Sequence, residues 1–398
     1  MSIAVMDEPM GVRAFFDPHF SLAIAGEQVE PTVFRDVTSV TYHDDITKFD
    51  GFELEVGNWD PDTATYRYIG SETEDTLTKH PNWLYRLFEP GKKHIELSMG
   101  YVDNLRLMMT GSITAIEPKF GASGATMTVR GLNVLHELRK KQYTKDWHDL
   151  NDTTIAKRIN HLKDPDTHAD RFPLKIVTDP NVTTVNELPK PDVSQKNEYD
   201  IDFLYRRAQD RGYVLVVHES EQGKPQLYFG PPSETVPGLR EVTYRLEWGK
   251  SLIDFNPTLS TANQVKSVTV MGWDRKTHSR IKGVADLNDK RLQANRDLFR
   301  LLNADAREDV VVHEAVRTPE EAHERAFNIL SERLRNIVKA SASTIGLPDL
   351  RAGQRVEIVG VGSRLSGTYF VTASTHTFND QGYITKFEAR REDLGFDK

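Results

Sequence analysis

The sequence reads Gly91-Lys-Lys-His-Ile95-Glu96-Leu97 in its first quarter and returns to that pattern as Gly353-Gln-Arg-Val356-Glu357-Ile358. Each stretch places a glycine turn before alternating apolar and polar residues, which is typical of a half-buried β-strand. Further matches occur in the same order along the chain: Val37–Tyr42 with Val265–Val270, Thr110–Ile113 with Ser366–Tyr369, and the turn Phe120–Gly124 with Phe378–Gly382. A final strand follows each turn, at Ala125–Arg130 and at Tyr383–Ala389. Glycine-rich hairpins are common, so chance explains any single match, but four in order favour an internal duplication.

The duplication predicts a β-dominated α+β chain with two similar barrel-like β modules. The first module is expected at 1–135, and the second at 244–285 and 338–398 with a helical insertion at 286–337. Residues 136–243 are expected to form a small inserted α+β domain, because short helical and strand patterns alternate there with prolines. The segment 61–90 is expected to lie outside the sheet.

Two predicted helices have clear boundary signals. Ile201–Ala208 is apolar at helical spacing, and Gly212 follows at the position of a left-handed C-cap. Thr318-Pro319-Glu320-Glu321 combines an N-cap, a proline at the first helical position and a capping-box glutamate. The apolar stripe from Ala322 to Ile337 predicts that this helix packs against the second module or a neighbouring subunit.

Composition excludes several classes of protein. The chain has 398 residues, a net charge of −8 and no cysteine, which excludes disulfide scaffolds, thiolate metal sites and a cysteine nucleophile. Residues 1–135 carry 11 Lys and Arg against 20 Asp and Glu, and this acidic third disfavours a nucleic-acid partner. The N-terminus has no basic region before an apolar one, and no apolar stretch approaches the ~18 residues of a membrane span. We expect synthesis in the cytoplasm without a signal peptide and no membrane insertion by this chain.

Two acidic groups are candidates for chemistry, and each has a simpler interpretation. Glu53 and Glu55 lie on one strand face, where their carboxyls would be about 7 Å apart, as an inverting glycosidase requires. A solvated strand face paired with Lys or Arg on a neighbour explains them better. The segment Asp164–Asp170 resembles a calcium loop but lacks the glycine and glutamate that such a loop needs, so a polar turn is favoured.

The remaining candidates give no site. None of the 13 histidines forms an HExxH pair, and His376 is interpreted as packed or hydrogen-bonded. Gly360-Val-Gly362 is not followed by the helix of a phosphate loop. The five tryptophans are candidates for a sugar-binding platform, but core packing is the favoured interpretation, for Trp273 in particular. We predict no catalytic, cofactor-binding or metal-binding residue, no cofactor, and a protein that is not an enzyme.

A duplicated module has a geometric consequence. Three chains in a closed ring would present six near-equivalent modules around a three-fold axis, and such a ring can face a six-fold partner on one side and a three-fold partner on the other. We therefore expect a homotrimeric ring.

Several segments resemble the phage late control protein D family. They are Phe20-Ser-Leu-Ala-Ile-Ala-Gly26, Phe88–Tyr101, Gly111–Ile116, Tyr199–Tyr213 and the tail Gly346-Leu-Pro-Asp-Leu350 through Gly367-Thr-Tyr369, His376 and Gly382-Tyr383-Ile-Thr385 to Phe387. The resemblance runs over almost the whole chain. It implies the hub of a contractile tail baseplate, similar to the N-terminal part of the VgrG spike proteins of type VI secretion.

The resemblance also implies the partners. The trimer is expected to join a hexameric inner tube protein to a trimeric spike protein encoded separately, within a layer of baseplate wedge proteins. We expect the chain in an assembled phage tail, secretion machine or extracellular injection particle, and the sequence leaves open which. The alternative is a cell-envelope-degrading or glycan-binding tail component.

Overall fold

A computed structural model describes residues 2–4, 17–73, 83–91, 93–102, 104–122, 124–182, 187–219, 224–232, 243–260, 262, 264–274, 277–289, 292, 307–312 and 316–391. The fold is β-dominated, as predicted, and is organised around one large sheet. Most of 290–306, in the predicted helical insertion, lies outside the described residues.

Among the described residues, the N-terminal part of the chain contains ten strands and one short helix. The strands are β1 (Ser2–Ala4), β2 (Pro18–Ile24), β3 (Glu27–Gln28), β4 (Val37–Asp45), β5 (Gly51–Gly57), β6 (Trp59–Asp60), β7 (Thr65–Tyr66), β8 (His94–Tyr101), β9 (Asn104–Gly121) and β10 (Gly124–Asn133). Helix α1 (Pro31–Asp36) starts at a proline between β3 and β4. The pair β6–β7 lies outside the large sheet, and so does a 3-10 helix at Trp83–Arg86; within the described residues of the segment 61–90, β7 and this helix are thus where we expected them.

The middle of the chain is a small α+β unit. It contains a 3-10 helix at His136–Leu138, β11 (Tyr143–Leu150), α2 (Asp152–Ile159), β12 (Lys175–Thr178), β13 (Lys190–Glu198), α3 (Asp200–Arg211), β14 (Val214–Glu219) and β15 (Pro225–Gly230). Strands β11 and β13 form one sheet, and a second sheet has the order β12-β15-β14. Helix α3 ends at Gly212, which has the left-handed φ of 70° predicted for its C-cap.

The C-terminal part returns to the large sheet. Its elements are β16 (Thr243–Glu247), β17 (Leu252–Leu259), β18 (Ser267–Asp274), β19 (Ser279–Asp286), β20 (Glu308–Val311), α4 (Pro319–Arg335), β21 (Val338–Ile345), β22 (Arg355–Val359), β23 (Gly367–Asn379) and β24 (Gly382–Arg391). Thr318 caps α4 by accepting a hydrogen bond from the Glu321 amide, as predicted. The Glu321 carboxylate accepts from the Arg317 amide, one residue earlier than in a standard capping box.

Two sets of six strands share one topology. The first module is β2, β4, β5, β8, β9 and β10, in the sheet order β4-β5-β10-β9-β8-β2. The second module is β16, β17, β21, β22, β23 and β24, in the corresponding order β17-β21-β24-β23-β22-β16. The one difference in direction is that β2 is antiparallel to β8, whereas β16 is parallel to β22. Because the strands follow each other identically along the chain and across the sheet, the topology supports the duplication.

One of the sequence matches was wrong. Val265–Val270 leads into β18, which lies with β19 and β20 in a separate three-stranded sheet rather than in the second module. The topological counterpart of β4 is β17, which pairs with β21 as β4 pairs with β5. Both β4 and β18 alternate apolar and polar residues because each has one buried face, so the shared pattern does not report a shared position.

Each part of the fold has its own apolar core. Phe20, Leu54, Leu97 and similar side chains fill the first module, and Tyr68 and Phe88 from the segment 61–90 pack against them. The core of the second module continues onto the buried stripe of α4, which packs on β18 and β19 within the same chain. Closure of either module into a barrel, trimerisation and the domain boundaries stay predictions.

No helix among the described residues is both long and apolar enough to cross a membrane.

Candidate functional site

The two modules join through a strand ladder that we call the junction. Strand β4 of the first module pairs antiparallel with the C-terminal half of β23 of the second, from Val40 opposite Phe378 to Asp45 opposite Ala373. The N-terminal half of β23 pairs with β22 instead, so β23 extends beyond its own module to reach β4. One sheet therefore runs without interruption through both modules.

A buried ion pair lies at one end of the junction. The Arg351 guanidinium donates through Nε to Asp44 Oδ2 at 2.5 Å and through Nη2 to the Tyr42 hydroxyl. The same guanidinium lies 4.6 Å from the centre of the Tyr42 ring. Asp44 also accepts from the backbone amides of Ala352 at 3.2 Å and Ser374 at 3.0 Å, and from the Ser374 hydroxyl. These contacts satisfy a carboxylate and a guanidinium that are otherwise expensive to bury.

A column of polar side chains continues along β23 and β24. The two ring nitrogens of His376 lie 3.0 Å from the Ser374 hydroxyl and 3.0 Å from the Tyr383 hydroxyl. The Thr385 hydroxyl is 3.1 Å from His376 Nδ1 and accepts from the Leu347 amide at 2.9 Å. His376 is thus fully enclosed and hydrogen-bonded, which agrees with the interpretation from the sequence.

Burial shifts the titration of two groups here in opposite directions. Desolvation lowers the pKa of His376 to about 3, so its imidazole is neutral at physiological pH. Desolvation, with the charge of Asp44, raises the pKa of Asp50 to about 7, although Arg351 and a hydrogen bond from Asn133 oppose the shift. The Asp50 carboxyl, which follows β4 and lies beside the junction, therefore favours its protonated form far more than an exposed aspartate does.

Aromatic side chains of the second module enter the core of the first at the junction. The Phe378 ring meets the Phe20 ring edge-on at 5.1 Å, and Phe20 stacks on Phe34 at 4.3 Å. Tyr383 also belongs to this core and lies 5.9 Å from Tyr101. The tip of the β23–β24 hairpin thus completes the packing of a module to which it does not belong.

The acidic candidates have structural partners. Glu53 accepts from Arg130 Nε at 2.8 Å, and the same guanidinium donates to Glu117 at 2.6 Å, so Arg130 links carboxylates on either side of β10. Asp164 accepts from the Lys141 amine and the Tyr143 hydroxyl, both at 2.8 Å, and from the backbone amides of its own turn. The Glu53 group thus forms ion pairs on a strand face, and the Asp164 group forms a polar turn.

The interpretation of the tryptophans was partly wrong. Trp147 is buried in the core of the α+β unit, but Trp59, Trp248 and Trp273 are 45%, 51% and 55% exposed. The side chain of Trp83 lies outside the described residues. The exposed three lie on β6, after β16 and on β18, so they do not share one surface element.

Sequence analysis missed a second buried network, which ties the α+β unit to α4. Asp152 accepts from Arg207 at 2.6 Å and from Arg211 at 2.7 Å; burial opposes its ionised form, but these cations and Lys190 lower its pKa. Nearby, Arg325 of α4 donates to the Asp210 carbonyl at 2.7 Å. The local signal for this network is the polar pair Asn151-Asp152 at the start of α2, where Asn151 is the N-cap and accepts from the Thr154 amide at 2.9 Å.

Within the described ranges, no three His, Asp or Glu side chains are grouped so that they could hold a metal ion.

A family assignment comes from the sequence profile described as the Alg8 N-terminal domain, which matches residues 84–380. The chain belongs to this family. The matched range begins in the 3-10 helix before β8 and ends just after β23, so it includes the second-module half of the junction. No curated protein sequence matches the chain. Membership of the late control protein D family stays a prediction.

Solved structures share the fold of this Alg8 N-terminal domain family member. The 43 kDa tail protein of prophage MuSo2 from Shewanella oneidensis is similar over 95% of this chain and 99% of its own, with 16% identity and a TM-score of 0.64. A tail protein from Neisseria meningitidis MC58 is similar over 95% and 97%, with 12% identity and a TM-score of 0.62. The c3393 protein of E. coli, described as a type VI secretion component similar to bacteriophage T4 tail proteins gp27 and gp5, is similar over 92% and 76%, with 11% identity and a TM-score of 0.50.

Proposed function

We propose that the chain is a structural component of a phage tail or a related contractile injection system, where it serves as the baseplate hub. In this role three copies form a ring that joins a six-fold inner tube to a three-fold spike encoded separately. Support comes from the fold, which the chain shares with prophage tail proteins and a type VI secretion component over nearly its full length.

The observation that carries the proposal is the duplicated strand order. Two modules with the same order of six strands are held in one sheet by the junction, so they are fixed relative to each other. A rigid pair of similar modules, repeated three times, gives six similar surfaces with three-fold symmetry. This arrangement resolves the mismatch between a six-fold tube and a three-fold spike.

The test is a reconstruction of the assembled particle by electron cryo-microscopy. We expect three copies of this chain in one layer, with six modules facing the tube. Six copies, or one, would leave the duplication without this role and contradict the hub assignment. The free chain is a weaker test, because ring closure can depend on the tube or spike being present.

The alternative of an envelope-degrading component has its own test. If Glu53 were catalytic, Glu53→Gln would abolish lysis of peptidoglycan by the purified chain. We expect no lysis with either form, since Glu53 is engaged by Arg130 at 2.8 Å. Lysis that disappears in the variant would reverse the ranking.

A further inference from the structure

Beside the junction, a hairpin tip of one module packs into a surface of the other module. Each module has a hairpin of this kind, which we call the inserting surface, and a strand end of this kind, which we call the accepting surface. The inserting surface is the tip of the hairpin between the fifth and sixth strands, and the accepting surface is the outer end of the first strand. Within the chain, the β23–β24 tip of the second module inserts into the first module at β2. Among the described strands, neither the β9–β10 tip nor the C-terminal end of β16 takes part in such an insertion: the tip contacts Tyr66 of β7, and β1 pairs with β16 only over Thr243–Arg245.

The aromatic residues of the two hairpin tips are equivalent. Phe378 lies opposite Tyr383 across the β23–β24 turn, and Phe120 lies opposite Ala125 across the β9–β10 turn. Phe378 is partly buried in the core of the first module. Phe120 is 54% exposed and contacts Tyr66 at 5.0 Å.

The aromatic residues of the two accepting surfaces are also equivalent. In the first module, the core-facing residues Leu22 and Phe20 lie opposite Leu97 and Met99 of β8. In the second module, the core-facing Leu246 of β16 lies opposite Ile358 of β22. Trp248 is two residues further along the chain, on the same side as Leu246, and lies beside Gly360.

Burial separates these two accepting residues. Phe20 is 2% exposed because Phe378 and Phe34 cover it. Trp248, in the corresponding place, is 51% exposed. Trp248 is therefore an aromatic side chain at the end of a row of core-facing residues, and no other described side chain covers it as Phe378 covers Phe20. Such a side chain has the properties of an interface anchor.

We propose that Phe120 of one copy packs against Trp248 of a second copy, repeating between chains the contact that Phe378 makes with Phe20 within the chain. The partner is a second copy of this chain, because an inserting surface and an accepting surface of the same kinds already pack together within one chain. The proposal rests on the ring of the proposed function, whose inter-chain joint it specifies. The contact is heterologous, so it repeats from copy to copy until the ring closes.

Two prolines indicate that the inter-chain joint, unlike the junction, contains no strand ladder. The pairings place Pro118 at the position of His376, and Pro257 at the position of Tyr42. His376 and Tyr42 are opposite each other in the junction ladder. A proline has no N–H to donate, so neither β9 nor β17 offers an uninterrupted edge to another strand. The inter-chain joint is therefore held by side chains, and the free edges are protected from uncontrolled strand pairing.

Cysteine cross-linking tests the contact in the full chain, which has no cysteine of its own. Phe120→Cys and Trp248→Cys are combined in one chain and treated with a short bismaleimide after assembly with the tube and spike proteins, because ring closure can depend on them. The control chain combines Phe120→Cys with Trp273→Cys, because Trp273 is equally exposed at 55% but lies on β18 in another sheet. All three positions are exposed, so we expect both chains to keep the melting temperature of the parent.

We expect the test chain to yield a covalent trimer on denaturing gels and the control chain to give only background products. Cross-linking that does not exceed the control overturns the proposed contact. Products that continue beyond the trimer support the contact and contradict the ring. A particle reconstruction with three copies whose Phe120 and Trp248 lie apart keeps the ring and overturns the contact.

Discussion

Asp44→Asn probes whether the junction stabilises the pair of modules. The substitution keeps the size of the side chain and removes its charge, while Arg351 stays buried beside it. The variant amide can still accept from the Ser374 amide, but it offers no negative charge to the guanidinium at 2.5 Å. The main effect is thus an uncompensated buried cation.

The expected magnitude follows from that burial. Removing one partner of a buried ion pair costs about 3–5 kcal/mol of unfolding free energy, whereas a solvent-exposed pair contributes about 0–1 kcal/mol. Glu53→Gln is the matched control, because Glu53 and Arg130 form a close pair at 2.8 Å on an exposed strand face. We expect Asp44→Asn to lose at least about 2 kcal/mol more than Glu53→Gln.

Urea unfolding followed by fluorescence gives the two free energies, and hydrogen exchange locates the loss. In Asp44→Asn we expect faster exchange in β4 and the C-terminal half of β23, with β11–β15 unchanged. A stability loss no greater than that of Glu53→Gln, or faster exchange spread evenly over all sheets, would refute the assignment of this pair as a junction contact.

Three further substitutions test other features. Asp50→Asn removes a carboxyl whose folded-state pKa of about 7 lies above its unfolded value. The parent therefore loses stability as pH rises from about 4 to about 7, and the variant should gain on the parent in urea unfolding at pH 8 but match it at pH 4. Gly283→Ala would place a Cβ 2.0 Å from the His323 amide nitrogen of α4, so we expect a loss of about 1–3 kcal/mol or more in thermal melts, while Gly121→Ala, with only an atom at 3.9 Å, should be neutral. Leu330→Asp would place a charge on a fully buried face of α4 and should cost several kcal/mol; wild-type melting would show that this stripe is not packed.

Local signals predicted local features well. The alternation after Gly91 and Gly353 identified β8 and β22, and the turns at Phe120–Gly124 and Phe378–Gly382 identified the two hairpins. The cap at Thr318 gave the start of α4. These features depend on residues within a few positions of each other, which the sequence displays directly.

Long-range features were not visible in the sequence. Asp44 and Arg351 are 307 residues apart, and neither residue type indicates a buried partner at that distance. The counterpart of β4 was mistaken for β18 because β17 contains Pro257, which weakens its strand pattern. Trp273 was assigned to the core because tryptophan in a β-protein is usually packed in the core, but the residue is exposed because its strand has one open face.

The pairing of β4 with β23 affects how the protein is made. The first module's core contains Phe378 and Tyr383, so this core stays incomplete until the hairpin at 367–391 has been synthesised. During synthesis, the strands of the first module are therefore made before the side chains that complete their core. Until then, the apolar surface of these strands is exposed to chaperones or to neighbouring chains. Contacts spanning more than 300 residues also slow folding, since a long loop must close before they form. The first module therefore completes its fold only after the last hairpin has been synthesised. In a prematurely terminated chain, the first module would have an incomplete core and would not assemble.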